Sequence, residues 1–159
     1  MSIEKVKAYF ATLGREQDIL EFPASSATVE LAAQALSVEP ARIAKTLSFL
    51  GKEENQCILV VTAGDAKIDN SKFRHFFQMK ARMLNPEQVI ALTGHAIGGV
   101  CPFANPPGVK TYLDISLQRF DTVFPACGDH HSAIELHNDE LFRYAHALAW
   151  IDVCKTSLS

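Results

Sequence analysis

The sequence predicts an α+β domain, and two observations carry that reading. Thr46-Leu47-Ser48-Phe49-Leu50 alternates, Cys57-Ile58-Leu59-Val60-Val61-Thr62-Ala63 is a nearly continuous apolar run, and the polar turn Gly51-Lys52-Glu53-Glu54-Asn55 joins them as a hairpin. The remaining strands and capped helices come in irregular order, which argues against a regular parallel array of strand–helix–strand units.

The elements are set by spacing and punctuation. Ile3, Val6, Phe10 and Leu13 recur at helical intervals, and Gly14 is placed to end that helix. Ile19-Leu20-Glu21-Phe22 is a short strand closed by Pro23. Thr28 is expected to cap a helix burying Val29, Ala32, Ala33 and Leu36, and Pro40 to open a short helical piece leading into Ile43-Ala44-Lys45. Asp69 caps a helix with the stripe Phe73, Phe76 and Phe77, read as core. Asn85-Pro86-Glu87-Gln88 has the offsets of a capping box with proline at the first helical position, and Gly94 ends that helix.

Val109 to Asp114 is a strand, Asp114 to Phe120 a turn or short helix, and Thr122 to Cys127 and Ala133 to Leu136 are further strands. Asn138 is expected to cap a last helix with Leu141, Ala145 and Leu148 inward, and Trp150 to Val153 to form an edge strand.

Length and composition bound the class. The 159 residues, 48% hydrophobic and 21% charged, fit one domain spanning 1–159. No signal-like N-terminus and no long apolar run occurs, so a cytoplasmic, membrane-free protein is expected. Cys57, Cys101, Cys127 and Cys154 form no CxxC pair and read as reduced thiols, and the six histidines form no HExxH, so no metal is expected. Net charge is −3, yet Lys67, Lys72, Arg74, Lys80 and Arg82 face the single acid Asp69 over a short segment, a candidate surface for phosphates.

The run Thr93 to Phe103 holds three of the eight glycines. Adjacent glycines permit unusual backbone and close approach, and Pro102 stiffens the end of the run. Such a loop can point bare main-chain groups at a ligand or a developing oxyanion, or be a tight structural turn. It lacks the GxGxxG and GxxxxGK[ST] spacings of nucleotide-binding turns.

Three segments agree in order and distance: Ala44-Lys45-Thr46-Leu47; TGHAIGGVCPF from Thr93 to Phe103; and YLDISLQRF from Tyr112 to Phe120, leading to Ala126-Cys127-Gly128. Together they resemble the YbaK/ProX family of aminoacyl-tRNA deacylases, relatives of the editing domain inserted in bacterial prolyl-tRNA synthetases. The resemblance implies a barrel-like mixed sheet wrapped by helices, and hydrolysis in trans of the ester joining a wrong, small amino acid to tRNA, with alanine or cysteine on proline tRNA as the expected cargo. The family's functional lysine matches Lys45 and its glycine loop matches Gly98-Gly99; no cofactor belongs to the scheme. In the related enzymes the attacking water is oriented by main chain and a terminal ribose hydroxyl.

This chain departs from the pattern at Cys101, commonly Ser; at Ala104, often Gly; at Ser132-Ala133-Ile134, where some relatives carry an acid; and at the turn Asp129-His130-His131. The expected site therefore has Lys45, Gly98 and Gly99 at the reacting ester, with Thr46, Val100, Cys101, Pro102, Phe103 and His130 around the substrate. Lys67, Lys72, Arg74, Lys80 and Arg82 are expected to meet the tRNA. Aminoacylated tRNA is the expected partner, with prolyl-tRNA synthetase a second; no DNA is expected. Two alternatives stay open: a non-catalytic tRNA- or synthetase-binding module of the same fold, and a small-ester hydrolase using Cys101 as nucleophile, which would need a base such as His95, His130 or His131 within reach.

Overall fold

The computed structural model describes residues 2–96 and 98–156. Among them run helices α1 (Ser2–Thr12), α2 (Val29–Leu36), α3 (Asn70–Phe77), α4 (Pro86–Thr93) and α5 (Asn138–Tyr144). The strands are β1 (Ile19–Glu21), β2 (Ile43–Leu50), β3 (Cys57–Ala63), β4 (Lys67–Ile68), β5 (Lys110–Asp114), β6 (Thr122–Pro125), β7 (Ser132–Ile134), β8 (Leu136–His137), β9 (Trp150–Ile151) and β10 (Cys154–Lys155).

The predicted hairpin is the centre. β2 and β3 pair antiparallel from Leu50↔Cys57 to Ala44↔Ala63. β5 adds parallel to β3, and β9 parallel to β5. On the other side β6 joins β2 in parallel and β8 joins β6 antiparallel. The resulting sheet, β8-β6-β2-β3-β5-β9, is mixed and curled into a half-barrel, as the resemblance implied. β1 pairs with β7, and β4 with β10, as small separate ribbons.

All seven positions of β3 are buried, which is why its sequence lacks alternation. Phe49 packs on Phe73 of α3 with ring centroids 4.8 Å apart, and Phe10 of α1 packs on Phe103 at the same distance. Burying each such side chain stabilises the fold by about 1.5–3 kcal/mol. Three helix starts obey their sequence signals. Thr28 accepts from the Leu31 N–H at 3.1 Å and Asp69 from the Lys72 N–H at 3.0 Å; Asn85 and Gln88 cap one another reciprocally at 2.9 Å.

Some expectations are corrected. β2 extends from the alternating run back to Ile43, because Ile43 and Ala44 find partners in Phe124 and Pro125. The cap of α5 is His137, whose N–H donates to Glu140 at 2.9 Å. Asn138 instead donates its amide to the carbonyls of Leu117 and Phe120, at 3.1 and 2.8 Å, tying the helix to the preceding turn. α5 stops at Tyr144, so helical spacing no longer governs Leu148, which is 56% exposed. Phe76 is exposed, its ring edge-on to Phe77 and Tyr112 at the margin of the core.

Candidate functional site

β2 has β3 along one whole side, but its other side is covered in two pieces. β6 covers Ile43 and Ala44. Residues 82–84 cover the far end: the Leu84 N–H donates to the Ser48 carbonyl at 3.2 Å, and the Leu50 N–H to the Arg82 carbonyl at 2.8 Å. Between these pieces, among the described residues, Lys45, Thr46 and Leu47 have no strand neighbour on that side, and a cavity of about 390 Å³ opens there. Its walls include Ala27 and the start of α2 (Val29, Ala32), Leu84 and Val89, Gly98 and Val100, and Phe124, Ala126 and Ser132.

Lys45 and Thr46 are consecutive in a strand, so their side chains leave on opposite faces. The Lys45 ammonium donates to the carbonyls of Ala66, at 2.5 Å, and Gly64, at 3.5 Å. Burial pulls its pKa below the ordinary lysine value. The turn supplying those carbonyls is pinned twice. A Cβ on Gly64 would lie 2.0 Å from the Pro40 carbonyl oxygen, so only glycine allows that contact. Asp65 accepts two hydrogen bonds from Arg119, at 3.0 and 2.5 Å. The Thr46 hydroxyl, by contrast, is buried without a hydrogen-bond partner among the described residues, as is the Ser132 hydroxyl.

The glycine loop serves two sides. Gly94 ends α4 with φ +76°. Gly98, at φ +86°, lines the cavity, and a Cβ there would lie 3.7 Å from those of Ala27 and His130. Gly99 faces away from the cavity: a Cβ would come 2.6 Å from the Gly128 carbonyl oxygen and 2.8 Å from the Asp129 Cα. Its lack of a side chain serves backbone packing, and it does not line the cavity. Val100 lines the cavity as expected.

Cys101 and Phe103 turn inward to the core and are fully buried, so neither lines the cavity. The Cys101 Sγ lies 3.6 Å from both the His95 Nε2 and the Phe103 carbonyl oxygen, and burial pushes the thiol up to about 12. His95, also fully buried, bonds the Phe103 carbonyl and the Ser2 hydroxyl, and burial lowers its pKa. Pro102 borders a second cavity, of about 370 Å³, with Tyr9, Asn105 and His146. His130 is exposed at the rim beside Gly98, its carbonyl accepting from the Ser26 N–H at 2.5 Å.

All five cations, Lys67, Lys72, Arg74, Lys80 and Arg82, are exposed. Lys72 is engaged, bridging Asp152 at 3.1 Å and the Cys154 carbonyl at 3.0 Å. Sequence reasoning missed Gly64, Ala27 and Ser132. The alanine and serine carry no local signal, whereas Gly64 directly after a buried strand could have marked a close backbone approach.

A mostly apolar cavity at a strand edge, with Lys45 and a few other polar residues among those that border it, has the size and lining of a small-molecule site. The chain belongs to the aminoacyl-tRNA editing domain family, whose profile matches residues 24–144. It is 56% identical over 155 residues to the uncharacterized protein YwhH of Bacillus subtilis (strain 168), covering 98% of each chain. It is 29% identical over 97 residues to the multifunctional Ser/Thr-tRNA deacylase ProXp-y of Escherichia coli (strain K12), covering 60% of this chain and 58% of that one. A crystal structure described as a candidate trans-editing enzyme for prolyl-tRNA synthetase superposes with a TM-score of 0.85 at 31% identity, covering 97% of both chains.

Proposed function

We propose that this protein hydrolyses, in trans, the ester joining a small amino acid to tRNA, with alanine or cysteine on proline tRNA as the cargo. The observation that carries the reading is that Lys45 and Thr46 on β2 and Gly98 and Val100 in the glycine loop border one cavity of about 390 Å³ in a fold of the editing family. In this scheme the acyl group occupies the apolar chamber and Gly98 presents main chain to the ester. Lys45 braces the strand end and the turn beside it, from where its ammonium can be re-directed to the terminal adenosine. Water, oriented by main chain and a ribose hydroxyl, adds to the ester carbonyl carbon. Collapse of the adduct expels the ribose oxygen, which takes up the proton of the water. The exposed cations Lys67, Arg74, Lys80 and Arg82 meet the acceptor stem.

Apolar pockets separate side chains differing by one methylene by only ~1–3 kcal/mol, which makes a second, size-selective sieve useful. The test is a deacylation panel of Ala, Cys, Ser, Thr and Pro on their tRNAs, plus Ala and Cys on proline tRNA, with Lys45→Ala as control and its Tm measured alongside. Cleavage of alanyl- or cysteinyl-tRNA for proline, lost in Lys45→Ala, is expected. Survival of every ester while tRNA still binds refutes catalysis and leaves a binding module. Substrate ending in 2′-deoxyadenosine should be cleaved far more slowly; equal rates discard the ribose-assisted step.

A further inference from the structure

We infer that the exposed stretch of the β2 edge at Thr46 grips the α-aminoacyl group as one residue of an added strand, with the Thr46 N–H donating to the ester carbonyl oxygen and the Thr46 carbonyl accepting from the α-ammonium. The inference rests on the proposed aminoacyl-ester substrate and names the atoms that would recognise the constant part of it.

The geometry comes from the ladder. In an antiparallel pair the main-chain groups of successive residues face opposite neighbours. The Ser48 carbonyl and the Leu50 N–H face away from β3, because residues 82–84 use them. Thr46 has the same parity, so its N–H and carbonyl face that way too. β6 has paired with Ile43 and Ala44 only, so at Thr46 these two groups meet the cavity. The Thr46 hydroxyl is buried beside them without a hydrogen-bond partner among the described residues. Val89, Val100 and Ala126 bring aliphatic side chains to the rest of the wall, and Ser132 adds a second hydroxyl without a partner among the described residues.

An aminoacyl ester matches this set. Extended, its ammonium and its carbonyl lie on one side with the spacing of a single strand residue, the arrangement in which two residues exchange both hydrogen bonds. The carbonyl oxygen held by the Thr46 N–H is the atom that gains negative charge when water adds, so the same bond strengthens in the transition state. The side chain of the amino acid is left to the apolar walls. This grip reads what every amino acid shares and leaves selection among them to the shape of the chamber.

Two probes test it on the intact protein. The first compares non-hydrolysable 3′-amides of adenosine, one carrying alanine and one carrying propionic acid, which lacks only the amine. The alanyl amide should bind about ten- to a hundredfold more tightly, the range for hydrogen bonds to a charged group. The second compares Thr46→Pro with Thr46→Val. Proline is tolerated at an edge position whose N–H bonds no strand, so it deletes the N–H, while valine deletes only the hydroxyl. With circular dichroism and Tm confirming the fold, Thr46→Pro should fall at least tenfold below Thr46→Val in kcat/KM for alanyl-tRNA. If Thr46→Pro does not fold, the amide pair on the wild type decides alone. Equal binding of the two amides with turnover intact overturns this inference and leaves the deacylase reading standing. Binding of neither, with no turnover across the ester panel, overturns both.

Discussion

A Cβ placed on Gly99 would lie 2.6 Å from the carbonyl oxygen of Gly128, closer than real contacts allow. The two glycines lock the loop after α4 to the turn after β6, and so fix where Gly98 and Val100 stand against the cavity.

Gly99→Ala must therefore displace main chain, not a flexible side chain. Overpacking of this kind costs about 1–3 kcal/mol. Gly98→Ala has room for its methyl, and its cost comes only from the left-handed backbone, about 1–2 kcal/mol. Both should fold with lowered Tm, by about 2–4 °C for each kcal/mol. Deacylation should fall further in Gly99→Ala than its Tm loss explains, because the loop moves. Thermal melts paired with kcat/KM separate the two effects.

Asp65 and Arg119 hold the turn that receives the Lys45 ammonium. The guanidinium keeps the Asp65 carboxyl below the ordinary aspartate range. A carboxyl lowered in the folded state stabilises the protein above its unfolded pKa, about 3.9, and that contribution is lost as pH falls through the lower folded value. Asp65→Asn should thus reduce Tm at pH 7, by no more than a few degrees for so exposed a pair, and the gap to wild type should close below about pH 4. Melting curves across pH 2–7 check the sign.

Cys101 should resist iodoacetamide at pH 8 in the native state, since its thiol is fully buried and pushed up to about 12. Cys101→Ser should keep most deacylase activity. Rapid native alkylation of Cys101, read by peptide mass and blocked by substrate, would restore the thiol-nucleophile alternative.

Ala104 has φ +56°, a conformation that costs an L-residue about 1–2 kcal/mol and glycine none. Against this, glycine gives up more chain entropy on folding. Ala104→Gly should still raise stability by about 1 kcal/mol, seen as a higher Tm with unchanged deacylation.

The hairpin, the caps at Thr28, Asp69 and Asn85, and the stop at Gly94 were legible because each is written within a few residues. The curled sheet came from the family resemblance, and Lys45, Thr46, Gly98 and Val100 do meet at one cavity. Cys101, Pro102 and Phe103 went astray because successive residues of a loop face different sides, and nothing local says which side is empty. Gly99 signalled a close approach but not what approached; the answer, Gly128, lies about thirty residues away in the sequence. The break in the cover of β2 was illegible for the same reason. It exists only because β6 leaves after Ala44 and residues 82–84 return at Ser48.

The chamber draws its walls and its strand edge from separate elements: Ala27 from the lead-in to α2, Val29 and Ala32 from its start, and residues 45–47 from the hairpin. A lineage could therefore trade one cargo for another by resizing a single alanine on or just before that helix, leaving the sheet untouched. Ala32→Val or Ala27→Ser would be natural first steps for anyone seeking to redirect it.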